Sequence, residues 1–183
     1  MTPLVLGLTG PNAAGKGEVA AWLERLGFVL HSLSDIVREE AAARGLPPER
    51  EHLIRVGNEL RQAGGAGVLA ERLLPRLGAR AVVDSIRNPA EVQVLRRLPA
   101  FRLVGIVAPV ELRFRRSLER CRAGDPRSLE EFRARERQEN SADPTGQRLD
   151  ATLALADRVV ENSGDRAALH RSLDRLLAEL ELG

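Results

Sequence analysis

"GPNAAGKGE", residues Gly10 to Glu18, decides how the rest of the chain reads. It meets the pattern G-x-x-x-x-G-K-[ST] up to its last place, where Gly17 stands instead of a hydroxyl residue. An apolar run from Leu4 to Thr9 precedes it, and a segment of helical period follows from Lys16. Strand, glycine loop and helix form the context in which backbone N–H groups and a positive helix end cradle phosphates. The candidate triphosphate contacts are therefore Gly10, Asn12, Ala13, Ala14, Gly15, Lys16, Gly17 and Glu18. Composition supports the reading, since 27 of the 28 lysines and arginines are arginine and Lys16 is the exception. A slender ammonium reaches between β- and γ-phosphates as a point charge, a task that a planar guanidinium performs poorly.

The 183 residues suit one domain with a sizeable core. Apolar residues make up 43% and charged residues 30%, the range of folded soluble domains. No run approaches the roughly 20 apolar residues of a membrane span. Pro3 to Leu8 lacks the basic flank of a signal peptide, so a cytoplasmic location is expected. One cysteine, Cys121, excludes an intrachain disulfide and a four-cysteine zinc site. The pI of about 9.4 accompanies a formal charge of only +2, because with no tyrosine and one lysine little titrates below the guanidinium range. Aromatic residues amount to 3%, too few to stack a nucleic-acid polymer, and none is expected as a partner.

Short apolar runs alternate with helical periods, which predicts an α/β domain with a mainly parallel sheet. Strands are expected at Leu4 to Thr9, Phe28 to Leu33, Ala81 to Ser85, Leu103 to Val107 and Arg158 to Glu161. Helices are expected from Lys16 to Leu26, Asp35 to Arg44, Glu49 to Gln62, Val68 to Leu77, Ala90 to Leu98, Val110 to Arg122, Leu129 to Asn140 and Asp165 to Leu182. Residues 34–77 exceed what one crossover needs, so they read as a wall over the carboxyl edge of the sheet.

Magnesium on a triphosphate keeps several waters, so a carboxylate acting through water can replace the hydroxyl missing at Gly17. Asp84, ending "AVVD", and Asp35, opening the helix after the second strand, are the candidates, with Thr9 a weaker one. Asp35 also reads as an acid placed to satisfy a helix dipole. Arg38, one turn after Asp35, Arg61 in "GNELRQ" and Arg87 in "DSIRNP" suit an anionic acceptor, or serve as surface ion-pair partners. Arg113, Arg116 and Arg120 share one helical face in "RFRRSLERCRAGD", either a solvated face or a lid bringing Arg116 and Arg120 to the transferring group. His31 and Cys121 read as structural.

Taken in order, "GLTGPNAAGKGEVA", "SLSDIVREE", "GNELR", "VVDSIRNPAEV", "RFRRSLERCRAGD" and "ADRVVENSGD" resemble the P-loop nucleoside-monophosphate-kinase and dephospho-CoA-kinase-like group, over nearly the whole chain. The resemblance is nearest to the small kinase-like domains also found fused to deoxycytidylate-deaminase-type domains. It implies a P-loop NTPase fold, residues 1–183, with a five-stranded parallel sheet flanked by helices. An acceptor-binding insertion would occupy residues 34–77 and a lid residues 113–142. It further implies Asp35, Arg38 and Arg87 at the acceptor, Asn162 against adenine, and Mg2+ with ATP. Gly17 departs from the usual kinase loop.

The expected function is ATP-dependent phosphoryl transfer to a nucleoside or deoxynucleoside monophosphate, with Lys16, Asp35, Arg87, Arg116 and Arg120 carrying it. A kinase acting on a hydroxyl, as dephospho-CoA kinases do, would need Asp35 as a base. A nucleotide-binding module without turnover is the third possibility, kept open by Gly17.

Overall fold

The computed structural model describes residues 3–121, 126–140 and 143–182. Its strands are β1 (Leu4–Thr9), β2 (Val29–Ser32), β3 (Arg80–Asp84), β4 (Phe101–Val107) and β5 (Arg158–Glu161). Its α-helices are α1 (Lys16–Arg25), α2 (Leu33–Ala43), α3 (Arg50–Gly64), α4 (Val68–Leu73), α5 (Pro89–Leu95), α6 (Val110–Arg120), α7 (Leu129–Glu139), α8 (Leu149–Leu153) and α9 (Arg166–Leu182). The five strands form one parallel sheet in the order β2-β3-β1-β4-β5.

Period-two alternation sorts the apolar side chains onto two faces. Val5, Ala81, Val83, Phe101 and Leu103 join a core with α2 to α5, while Leu6, Leu8, Val82, Val104 and Ile106 join α1 and α9. All six residues of β1 are buried, as a central strand covered on both faces requires. The stripe Leu169, Leu173, Leu176 and Leu177 of α9 packs into the second core.

Two elements depart from expectation. The helix expected over Val68 to Leu77 tightens into a 3-10 turn at Leu74–Arg76, because Pro75 supplies no N–H for an α-helical bond. The helix α8, only five residues long, is too short for a periodicity to announce it.

Strand order reverses about β1, so the segments after β1 and β3 border one crevice at the carboxyl edge. The segment after β3 is fixed by a capping box. Asn88 accepts from Ala90 N at 2.9 Å, Pro89 begins α5, and Glu91 Oε2 accepts from Arg87 N at 2.8 Å and Asn88 N at 3.1 Å. The other Glu91 oxygen accepts from Arg61 Nη2 of α3 at 3.3 Å. Glu91 is fully buried, and desolvation pushes its carboxyl above the usual range while Arg61 and the two amides pull it back. Removing this carboxylate leaves a buried guanidinium and two amides without their acceptor. Glu91→Ala should therefore lose roughly 3–5 kcal/mol in urea denaturation. A loss below about 1 kcal/mol would contradict that account.

Candidate functional site

The loop after β1 is shaped by two glycines. Gly10 has φ +129° and Gly15 φ +106°, a region that favours glycine. A Cβ at Gly10 would run into the Ile106 carbonyl oxygen, and one at Gly15 into the side-chain amide of Asn162. Between them Ala13 is also left-handed, at φ 58°. The loop delivers its chain to the first turn of α1, where the N–H groups of Gly15, Lys16 and Gly17 take no protein acceptor among the described residues. Such orphan donors at a helix start are disposed to bind an anion.

Lys16 Nζ donates to the carbonyls of Gly10 at 2.7 Å and Pro11 at 2.9 Å. Burial lowers its pKa to about 8, with Arg87, Arg113 and Arg120 adding to the shift and Asp84 opposing it. Lys16 thus sits near three guanidiniums as well as one carboxylate.

Lys16 lines a cleft of about 500 Å³ together with Gly10, Asn12, Arg38, Arg61, Arg87 and Arg120. Of these guanidiniums, Arg61 brings Glu91 as its partner and Arg38 brings Asp35, at 3.3 and 2.5 Å. Glu139 is the acid among the lining residues. Apolar residues line the cleft as well, among them Leu53, Ile54 and Leu149, and Ile54 is 46% exposed.

Magnesium fits the donor set in one particular way. Asp84 Oδ1 is buried and takes no hydrogen bond among the described residues, at the end of the strand beside Lys16. Among the described residues no three His, Cys, Asp or Glu side chains cluster as a metal cage. A cation carried by phosphates and touched by one carboxylate through water suits this arrangement. Gly17 leaves open space, since a Cβ there meets nothing within 4 Å.

Several expected site residues are engaged elsewhere. Asn162, expected against adenine, is 6% exposed and donates Nδ2 to the Ala14 carbonyl at 2.8 Å, so it braces the loop from beneath. Arg116, expected to reach the transferring group, donates to Asn162 O at 3.1 Å and more weakly to Ala14 O, and does not line the cleft. The Glu18 carboxylate, expected with the triphosphate contacts, meets His170 at 3.0 Å and Arg166 at 3.3 Å, tying α1 to α9. Asp35 is exposed and absent from the cleft lining, although its partner Arg38 is there. Thr9 is fully buried, gives its hydroxyl proton to Ile86 O at 3.0 Å and does not line the cleft. Arg113 is bound to Glu136 of α7 and to the Asn12 carbonyl, joining α6 and α7 to the loop. Within the expected lid, residues 122–125 and 141–142, including Arg122, lie outside the described residues.

Sequence reasoning passed over Glu91, Ser85 and Gln147. Glu91 had a signal, since Asn-Pro-x-Glu is a capping-box pattern. Ser85 and Gln147 line the cleft without any local pattern that marks them.

Residues 9–133 match the family model of the AAA domain. Over 181 residues the chain is 33% identical to the UPF0200 protein of Hyperthermus butylicus, covering 97% of this chain and 95% of that one. The chain belongs to the UPF0200 family. This UPF0200 chain is also 34% identical over 184 residues to the UPF0200/UPF0201 protein of Archaeoglobus fulgidus, and spans 55% of that relative's length. Among solved structures, shikimate kinase from Bacteroides thetaiotaomicron superposes with a TM-score of 0.60 at 15% identity, over 97% of this chain and 98% of that one. At that identity the likeness concerns the fold, which is the P-loop kinase fold. No helix among the described residues is long and apolar enough to cross a membrane.

The electrostatics give a direct test. Lys16 has its pKa lowered from 10.5 to about 8, so burying its charged form costs stability below pH 8, a cost relieved as pH rises toward 10.5. A triphosphate stabilises the charged form. Binding at pH 8 should therefore take up roughly half a proton, falling almost to none near about pH 6.5, read by calorimetry in buffers of differing ionisation enthalpy. Equal uptake at both pH values would contradict the assignment.

Proposed function

We propose that this UPF0200 chain transfers the γ-phosphoryl group of ATP to a small phosphate-bearing acceptor, a nucleoside or deoxynucleoside monophosphate, held in the cleft. One observation carries the reading: Lys16, Arg87 and Arg120 line one opening that also has an apolar wall. A phosphate beside a base whose flat face packs on aliphatic side chains matches this lining. The P-loop kinase fold supports phosphoryl transfer, and the charge of the cleft supports an anionic acceptor.

Orphan loop amides and Lys16 hold the β- and γ-phosphates, whose charge offsets the burial, and the nearby arginines, that depress the lysine pKa. Arg87 and Arg120 neutralise the acceptor phosphate and align its oxygen with the γ-phosphorus. That oxygen is already ionised near neutral pH, so no base is required. This accords with Asp35 being tied to Arg38 rather than standing in the cleft. Leu53, Ile54 and Leu149 exclude water from one side and cover the acceptor's body. Magnesium, when bound with ATP, draws charge off the phosphate oxygens, and Asp84 is the residue that would hold its water. The segment of α6 and α7, tied together where Arg113 and Glu136 meet, serves as a lid.

The product of the reaction tests this. With ATP, magnesium and a panel of monophosphates, 31P NMR should show a new phosphoanhydride on one acceptor, and Lys16→Met should slow its formation by roughly two to three orders of magnitude. A phosphomonoester formed on a hydroxyl, or turnover untouched by Lys16→Met, would contradict the proposal.

A further inference from the structure

The structure assigns a phosphoryl contact to Ser85, a residue no motif marks, and the assignment rests on the cleft being a phosphoryl-transfer site. Ser85 follows Asp84 and has φ +66°, a left-handed conformation among only three non-glycine residues that share it within the described chain. Glycine would take that conformation without the Cβ penalty. What serine adds is a hydroxyl, half-buried at the cleft lining beside Arg87.

Ser34 N, in the first turn of α2, donates to Ser32 Oγ at 3.3 Å. The Ser32 and Ser85 hydroxyls pair at 3.1 Å, and either can be the donor. No other protein partner meets the Ser85 hydroxyl among the described residues. An anion in the cleft can only accept, so its arrival turns the Ser85 proton toward it and leaves Ser32 to donate to Ser85. Each donor polarises the next, and the series starts at the positive end of a helix, so its terminal hydrogen suits an anionic oxygen.

We propose that the Ser85 hydroxyl donates a hydrogen bond to a phosphoryl oxygen in the cleft, through the series Ser34, Ser32, Ser85. A hydroxyl is then supplied from the end of β3 in a chain whose loop has none at Gly17. Ser85 contacts the anion directly, whereas Ser32 is a positioning residue, holding the N-cap of α2 and orienting Ser85 at once.

Linear inorganic pentaphosphate with magnesium is the probe, because it offers phosphoryl oxygens and no base. Calorimetric titration of the parent, Ser85→Ala and Ser85→Gly should show both variants binding roughly ten-fold more weakly. Ser85→Gly should also melt at a higher temperature than the parent, since it relieves the left-handed strain. That combination, a more stable protein that binds more weakly, separates a lost contact from a damaged fold. Ser85→Gly binding as tightly as the parent would overturn the assignment, as would a loss confined to Ser85→Ala. If Ser85→Ala does not fold, Ser85→Gly alone decides. Failure of the parent itself to bind the probe would overturn the phosphate-binding reading of the cleft, and the role of Ser85 with it.

Discussion

The amide of Asn162, donating to the Ala14 carbonyl from beneath, is the contact on which the rest of the site depends. It occupies the space a side chain at residue 15 would need, so the loop is held open by an atom rather than by its own sequence. Asn162 is in turn held by its N–H to the Val107 carbonyl at 2.8 Å, just past β5. Arg116 closes the unit by donating to the Asn162 carbonyl. The carboxyl ends of β4 and β5 thereby set the conformation of a loop that follows β1. A loop shaped by its neighbours does not need its ligand to order it, and the binding energy goes to the phosphates instead.

The electrostatic design runs the other way. Lys16 is buried near Arg87, Arg113 and Arg120, and Asp84, the loop carbonyls of Gly10 and Pro11, and the pairing of Arg113 with Glu136 partly offset the cost. Arg61 and Glu91 solve the same problem by pairing, which also locks α3 to the start of α5 and so fixes two walls of the cleft relative to each other. Cations held in place before the ligand arrives cost nothing to reorganise when charge shifts during transfer.

Much of this was legible in the residues. The alternation of apolar runs placed all five strands within two residues, because a parallel sheet covered on both faces demands β-branched and leucine-rich strands. The loop and its single lysine were legible for the same reason, since backbone approach to phosphate admits few residue types. The partners of side chains were not. Asn162, Arg116 and Glu18 sit close to the loop as the sequence implied, yet each is used to brace the scaffold, and proximity along a motif does not say which way a side chain is committed. Ser85 was hidden because its role depends on a hydroxyl 53 positions away, at Ser32, that only the pairing of β2 with β3 brings near.

The central claim is that a preformed triphosphate cradle faces an acceptor site that completes it. The most direct measurement is the rate of ADP formation from ATP and magnesium with and without each ribo- and deoxyribonucleoside monophosphate. The account predicts slow ATP breakdown alone and a large, saturable acceleration by one or a few of these acceptors. ATP bound tightly, with ADP formation indifferent to every acceptor, would contradict it and leave a nucleotide-binding module in its place.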